Sequence, residues 1–179
     1  MLNVKQIARK LGSTDGAEIL EAAVVLPLVF MLLLGIVEFG RVFNIYSTIQ
    51  QAAQQGAITA ARATCATCPS GNTFPGDATV TGVVEGVMKS SNLDTTQIKT
   101  WNPGLSACPL PPGGGCPPPT IDNITICRNV QLNLPVSSQP AQCGTVVSFQ
   151  YKFTFTLPFT SLDMQQIILS AQAQSRMEN

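Results

Sequence analysis

The stretch that decides the fold is EAAVVLPLVFMLLLGIV, from Glu21 to Val37. The sixteen residues after the glutamate are uncharged and mostly apolar, and a helix of that length rises about 24 Å. A hydrocarbon core is about 30 Å thick. Starting the span at Ala17 makes it long enough, but brings Glu18 and Glu21 to its edge, where an ionised carboxylate is costly unless paired. The sequence therefore predicts a membrane helix over about residues 19–40.

Positive charge precedes this apolar run. Residues 1–16 carry Lys5, Arg9 and Lys10 against Asp15, three positive charges minus one negative, which is a net charge of plus two. The positive-inside rule keeps such a flank in the cytoplasm and places the chain that follows the span on the other side. We therefore expect a single pass through the inner membrane, with a cytoplasmic N-terminus and an exported head.

Composition excludes several classes of function. The chain has 179 residues, of which 45% are hydrophobic and 11% are charged, against about a quarter charged in ordinary soluble domains. Ten Lys and Arg balance ten Asp and Glu, so no broad positive field attracts nucleic acid. No histidine is present, which removes the commonest general base and zinc ligand. We therefore expect no nucleic-acid partner, metal, cofactor or catalytic site.

Three interpretations of the N-terminus are open. A cleaved signal peptide fits poorly, because no A-x-A pattern follows the apolar run. An uncleaved signal anchor fits the charge asymmetry but gives Glu21 no role. In the third interpretation Gly16 precedes Ala17, and Glu21 is the fifth residue after the glycine, which resembles the processing site of type IV prepilins. That resemblance implies a cut between Gly16 and Ala17, with Glu21 compensating the new terminal amine of a neighbouring subunit.

The resemblance extends further along the chain. From the glycine into an Ala- and Gln-rich stretch the sequence resembles the TadE-like family, the minor pilins or pseudopilins of the tight-adherence (Flp) pilus machinery. Ala22 departs from it, since the family usually has an aromatic residue there, and Ser170–Glu178 is similar to the closing strand of such proteins. The residues that carry the N-terminal resemblance are Gly16, Glu21, Pro27, Gly35, Glu38, Phe39, Gly40, Arg41, Ala61 and Arg62.

The residues themselves predict one long helix over 17–63, because good helix formers follow the apolar run up to Ala63. Pro27 is expected to kink or locally unwind it. We interpret the three glycines of this helix, Gly35, Gly40 and Gly56, as residues that merely reduce its stiffness. Glu38 and Arg41 stand three residues apart and are expected to form a surface pair.

The predicted organisation is therefore a prepilin-type leader over 1–16, the long helix over 17–63 and an exported α+β head over 64–179. In the head, Asp77 is the expected N-cap of a second helix. The apolar residues of that helix recur at the spacing of one buried stripe: Val80, Val83, Val84, Val87 and Met88.

Strict alternation of apolar and polar residues predicts a half-buried strand over Val147–Leu157. A second alternating strand over Ile167–Ala173 is expected to pair antiparallel with it, the two helices covering one face. Residues 102–119 are too rich in Pro and Gly for regular structure. Shorter strands are predicted at Ile98–Trp101 and within Ile121–Leu132.

Six cysteines in so short a chain suit an oxidising compartment. Cys65 and Cys68 have the C-x-x-C spacing of redox and zinc sites, but they follow a helix and no histidine completes a metal site. We expect structural disulfides. Fifteen pairings are possible, and proximity along the chain favours Cys108–Cys116, Cys127–Cys143 and Cys65–Cys68.

What the family resemblance implies is a non-enzymatic structural subunit of a pilus assembly. It also implies processing by a prepilin peptidase, residence in the inner membrane, partnership with other pilins or pseudopilins, and incorporation in a cell-surface pilus. Two alternatives stay open: an uncleaved single-pass protein whose exported head binds a ligand, and an exported thiol oxidoreductase that uses Cys65 and Cys68.

Overall fold

The structure is a computed structural model, and it describes residues 14–64, 73–108, 114–118, 122–133, 140–155 and 166–176. Two helices are followed by a short 3-10 turn and four strands, which form one antiparallel sheet. The predicted α+β architecture is confirmed. The elements are α1 (Thr14–Ala61), α2 (Asp77–Ser90), the turn (Thr95–Gln97), β1 (Ile98–Lys99), β2 (Thr125–Gln131), β3 (Cys143–Thr154) and β4 (Gln166–Arg176).

Helix α1 is the predicted long helix, and its 48 residues continue without a break through Pro27. At 1.5 Å per residue it is about 72 Å long. Its first half is exposed to its surroundings, whereas its second half packs on the sheet. The buried apolar residues of the second half recur at helical spacing and are small apart from the first: Ile49, Ala52, Ala53, Ala57, Ala60 and Ala61.

Gly56 has a packing role that the sequence analysis missed. A Cβ built on Gly56 would stand 2.6 Å from Cγ2 of Val84 in α2 and 3.4 Å from Cγ1 of Val147 in β3. A Cβ on Gly35 or Gly40 would meet nothing within 4 Å, so the interpretation as a mere loss of stiffness stays a prediction for these two and is wrong for Gly56. Gly56 therefore allows α1, α2 and the sheet to meet closely.

Helix α2 buries the predicted stripe, with Val80, Val84 and Met88 fully inside the core. The predicted N-cap is wrong, because Gly76 occupies the cap position and makes no side-chain cap. Asp77 is instead the first residue of the helix, where the positive end of the helix dipole stabilises its carboxylate. Its side chain is directed to a partner in β2, described below.

Strand β3 is the centre of the sheet. It pairs antiparallel with β4 over the whole length from Gly144 to Thr154. Its other edge is shared by β2, which pairs with residues 143–148, and by β1, which pairs with residues 150–151. The predicted antiparallel pairing of the two long strands is confirmed. Strand β3 begins at Cys143, four residues before the predicted start at Val147, and it ends at Thr154, so Phe155 of the predicted strand lies just beyond it.

The helix-facing side of the sheet is the one that alternation predicted. Val147, Phe149, Tyr151 and Phe153 are buried, and all but the last belong to the main core cluster with the buried faces of both helices. Burying one large aromatic side chain such as Phe149 contributes about 2–3 kcal/mol. Leu157, the predicted end of this strand, lies outside the described residues.

The opposite side of the sheet is also covered, which the sequence analysis did not anticipate. Val146, Val130 and Cys127 form a second buried cluster on that side. Partly buried residues from the Pro- and Gly-rich segment, Leu105 and Cys116, pack against it. The segment is therefore a cover for the sheet rather than a free loop.

Among the described residues of the head, two titratable groups have shifted pKa values. Asp94 accepts hydrogen bonds from the backbone N–H and the hydroxyl of Thr96, at 3.0 and 2.8 Å, and they lower the pKa of this carboxyl. Burial raises the pKa of Tyr151 above 10.0 because it disfavours the phenolate.

Candidate functional site

The first half of α1 is an apolar rod that the head does not cover. The described part of the chain has one helix long and apolar enough to cross a membrane, and it contains this stretch. Between Ile19 and Val37 no residue is buried, and large apolar side chains point outward all round the helix. A helix that is apolar on every side fits a lipid environment or the interior of a helix bundle.

The residues of the predicted processing site lie at the start of α1. The helix begins at Thr14, so Gly16 and Ala17 belong to its first turn. Glu21 follows Ala17 by four residues, which is about one helical turn or 6 Å along the axis. Both Glu18 and Glu21 are exposed. Of the predicted leader, residues 14–16 are described, and cleavage after Gly16 stays a prediction.

The junction between rod and head is marked by an ion pair. Arg41 Nη1 lies 3.0 and 3.2 Å from the two carboxylate oxygens of Glu38. The guanidinium carbon of Arg41 lies 5.6 Å from the ring centroid of Phe153 at the end of β3, within cation–π range. The predicted pairing is confirmed, but the predicted surface position is wrong for Glu38, whose side chain is only 12% exposed.

The crosslinks of the head differ from the predicted pairs. Cys108 is bonded to Cys143 and Cys116 to Cys127, with Cα–Cα distances of 6.0 and 4.1 Å. The predictions that joined Cys108 to Cys116 and Cys127 to Cys143 are wrong. The predicted Cys65–Cys68 pair lies outside the described residues.

Strand register explains this pairing. Cys127 in β2 stands opposite Val146 in β3, and Cys143 stands opposite Gln131. Cys127 and Cys143 are therefore offset by three residues of β3, about 10 Å at 3.3 Å per residue. A disulfide spans at most about 7 Å between Cα atoms. Cys127 and Cys143 are consecutive cysteines along the chain, but the register holds them too far apart to be bonded.

The Pro- and Gly-rich segment is held along the outer edge of β2. It forms two isolated bridges there, Ala107 with Val130 and Gly115 with Arg128. A Cβ on Gly114 would stand 2.1 Å from the carbonyl oxygen of Asn129, so only glycine allows this approach. Covering the edge in this way removes an open row of backbone donors and acceptors.

Arg128 joins three elements of the head and was not singled out from the sequence. Its Nη1 donates to the carbonyl oxygen of Ala60 at 3.1 Å, near the end of α1. Its Nη2 donates to the carbonyl oxygen of Pro75 at 2.7 Å and pairs with Asp77 Oδ1 at 2.9 Å. A cation near a helix C-terminus satisfies a carbonyl that has no partner within the helix.

A β-bulge in β2 orients the side chain of Arg128. The register of β2 shifts between Cys127 and Val130, and Asn129 within the shift has a φ of 49°. A bulge bends the strand and redirects one side chain. The signal in the sequence was Arg128, the one charged residue among the seven of β2.

A cavity of about 430 Å³ lies beside Arg128. Its charged lining residues, Asp77 and Arg128, are already paired with each other at 2.9 Å. The rest of the lining comes from Ile126 and from residues 114–117, which have small side chains, with the Cys116–Cys127 disulfide at one side. The arrangement serves the cohesion of the head and presents no unsatisfied charge to a ligand.

The fold and the site together define a class: a protein with a membrane-capable N-terminal helix that carries a small, disulfide-linked α+β head. The family model described as TadE-like protein matches residues 16–57, all of them within α1. The match confirms the resemblance drawn from the sequence for these 42 of the 179 residues. No curated protein and no solved structure matches the chain.

Proposed function

We propose that this protein is a TadE-like minor pilin or pseudopilin, a structural subunit without enzymatic activity that takes part in the biogenesis of a tight-adherence (Flp) pilus. The observation that carries the proposal is the uncovered apolar stretch of α1 from Ile19 to Val37, which lies wholly within the family match at 16–57. An apolar helix of this kind needs lipid or other helices around it. The head has its own buried core, so it can stay folded when the helix passes from the lipid bilayer into a helix bundle.

The proposed maturation begins in the inner membrane, with the N-terminus in the cytoplasm and the head outside. A prepilin peptidase cuts after Gly16, and Ala17 supplies the new terminal amine. Glu21 compensates the terminal amine of a neighbouring subunit when apolar helices pack together, because either charge alone is costly in an apolar bundle. Other pilins or pseudopilins of the same system are the proposed partners. The disulfides of the head suit an oxidising compartment.

The first test concerns cleavage. The full chain is expressed in cells with and without the prepilin peptidase, purified from membranes, and its intact mass is measured. We expect the mass to fall by residues 1–16 only where the peptidase is present. A chain that keeps its leader in both cells contradicts the processed form and supports the uncleaved anchor with a ligand-binding head.

The second test concerns Glu21, for which Glu18 is a matched control because both carboxylates are exposed on the same stretch of α1. We expect Glu21→Gln to reduce pilus output while membrane insertion and cleavage stay normal, and Glu18→Gln to leave all three unchanged. Pilus output is measured from sheared cells by immunoblot against a co-assembled pilin. Equal output from the two variants contradicts the charge-compensation step.

A further inference from the structure

Two phenylalanines beyond the predicted apolar run are the most exposed large hydrophobic side chains among the described residues. Phe39 is 74% exposed and Phe43 is 73% exposed. They stand one helical turn apart on α1 and continue the apolar surface of the rod toward the head. Exposing both rings to water would be unfavourable, so the favoured membrane placement is one in which lipid covers Phe39 and Phe43.

Two placements of the membrane can be compared by length. About twenty residues of helix cross a hydrocarbon core of about 30 Å. A span from Glu18 to Val37 leaves Phe39 and Phe43 in water. A span from Val24 to Phe43 has the same length, covers both rings and leaves Ile19 in the interface on the N-terminal side.

Charge decides between the two placements. The first puts Glu18 and Glu21 within the hydrocarbon, and the described part of the chain offers neither of them an ion-pair partner. The second leaves both carboxylates outside and takes in Glu38 and Arg41, which already form a pair at 3.0 Å. A preformed pair is tolerated in a membrane far better than two single carboxylates.

The second placement also has a consequence for the head. Arg41 contacts Phe153 at the end of β3, and Ile45 packs against the main core. These contacts lie on α1 at the level of Phe43, so a membrane that covers Phe43 reaches the lower edge of the head. We infer that the lipid leaflet nearer the head closes around Phe39 and Phe43, so that the edge of the head at Phe153 is seated in the lipid–water interface.

The proposed partner of this surface is lipid rather than a second copy. The exposed apolar side chains of α1 point in every direction from Ile19 to Val37, and the two rings continue that surface without a polar interruption on their own face. Tyr46 follows one turn further and is 43% exposed. Aromatic side chains of this kind are enriched where a helix leaves the membrane.

The test measures the depth of single tryptophans in the full chain. Trp101, the single native tryptophan, is replaced by Phe, and Trp is then placed by F39W, F43W, L20W or I58W. Each variant is reconstituted in phosphatidylethanolamine–phosphatidylglycerol vesicles. Quenching is compared between lipid brominated near the headgroup end of the acyl chains and iodide added on both sides. I58W is the aqueous control, on the same helix about 22 Å beyond Phe43.

We expect F39W and F43W to lose emission in brominated lipid and to resist iodide, and I58W to do the reverse. L20W should be reached by iodide, because the second placement puts it in the interface. If F43W behaves like I58W, or if L20W resists iodide, the inference is overturned. Protection of F43W from both quenchers indicates contact between copies and also overturns it.

Folding and processing are checked separately. Far-UV circular dichroism and the intact disulfides show that each variant is folded. The four positions that receive tryptophan are exposed, and Trp101→Phe keeps an aromatic ring at a half-buried position, so little packing is lost. The inference depends on α1 spanning a membrane and not on cleavage or pilus assembly. The mass of the same samples reports cleavage, so failure of the depth measurement and failure of the proposed function are distinguishable.

Discussion

Replacing Gly56 by Ala is a sharp test of how the head is held on α1. In an exposed helix interior, Gly→Ala stabilises by about 1 kcal/mol, since Ala is the better helix former. At Gly56 the added methyl group would approach Cγ2 of Val84 to 2.6 Å and Cγ1 of Val147 to 3.4 Å. The two effects therefore oppose each other at this one position.

The packing effect should win. Val84 and Val147 are both fully buried, and a β-branched side chain has few alternative rotamers with which to move away. Overpacking a core by one methyl group costs about 1–3 kcal/mol. Subtracting the helix propensity gain leaves Gly56→Ala destabilised by about 0–2 kcal/mol, with about 1 kcal/mol expected.

Gly86 is the matched control, because a Cβ there meets nothing within 4 Å and the residue is also within a helix. Gly86→Ala should gain about 1 kcal/mol. Unfolding of the full chain in detergent micelles is measured by urea titration. The emission of Trp101 is followed because that residue lies in the head. The reasoning fails if both alanine variants are stabilised alike.

A third variant tests the named contact. When Val84→Ala is combined with Gly56→Ala, the alanine methyl occupies part of the space that the valine loses. The double variant should therefore be more stable than the sum of the single changes predicts. Residues in direct contact commonly show coupling of about 0.5–3 kcal/mol. If the changes in the free energy of unfolding of the two single variants simply add, the cost of Gly56→Ala does not arise from its contact with Val84, and the reasoning is contradicted.

Three further predictions concern the head, each measured as the free energy of unfolding of the full chain. Arg128→Lys should cost about 1–3 kcal/mol, since one ammonium cannot serve three acceptors held by a planar fork; full stability contradicts the joining role. Serine at both Cys108 and Cys143 should cost about 3.8 kcal/mol, because that disulfide closes a loop of 35 residues, and an unchanged value contradicts the crosslink. Asp94, whose pKa lies below 3.8 when folded, contributes stability that is present above pH about 3.8 and lost as the pH falls through the folded pKa. Asp94→Asn should remove that slope, and a slope that persists contradicts the assignment.

The features that could be predicted from the sequence are those determined by hydrophobic patterns within a single helix or strand. The apolar run before Val37 and the alternation over Val147–Phe153 each specify an element and its buried face without knowledge of any partner. The stripe of α2 is of the same kind. Hydrophobic periodicity is set within a few residues, so it survives whatever the rest of the chain does.

The features that the sequence did not predict depend on how elements meet. The pairing of Cys127 with Cys116 follows from the bridge between Gly115 and Arg128, which is visible only once the Pro- and Gly-rich segment lies beside β2. Gly56 differs from Gly40 only through the side chains that another helix and a strand bring to it. Arg128 is aimed by a bulge that propensity alone does not specify. The candidate site is similar, because the nearly buried position of Glu38 depends on the head being packed above it.

The order of contacts along α1 shows how the rod and the head can act as one body. Arg41 contacts Phe153, Gln50 donates to the carbonyl of Ser170 at 3.1 Å, and the carbonyl of Ala60 accepts from Arg128 at 3.1 Å. These contacts are spread over about 28 Å of helix. Because Phe153 lies near the end of β3, and Ser170 within the β4 stretch that pairs with it, the helix runs along the strands. A pull on the exposed half of α1 is therefore shared by several contacts loaded in shear, so the rod and the head respond to it together.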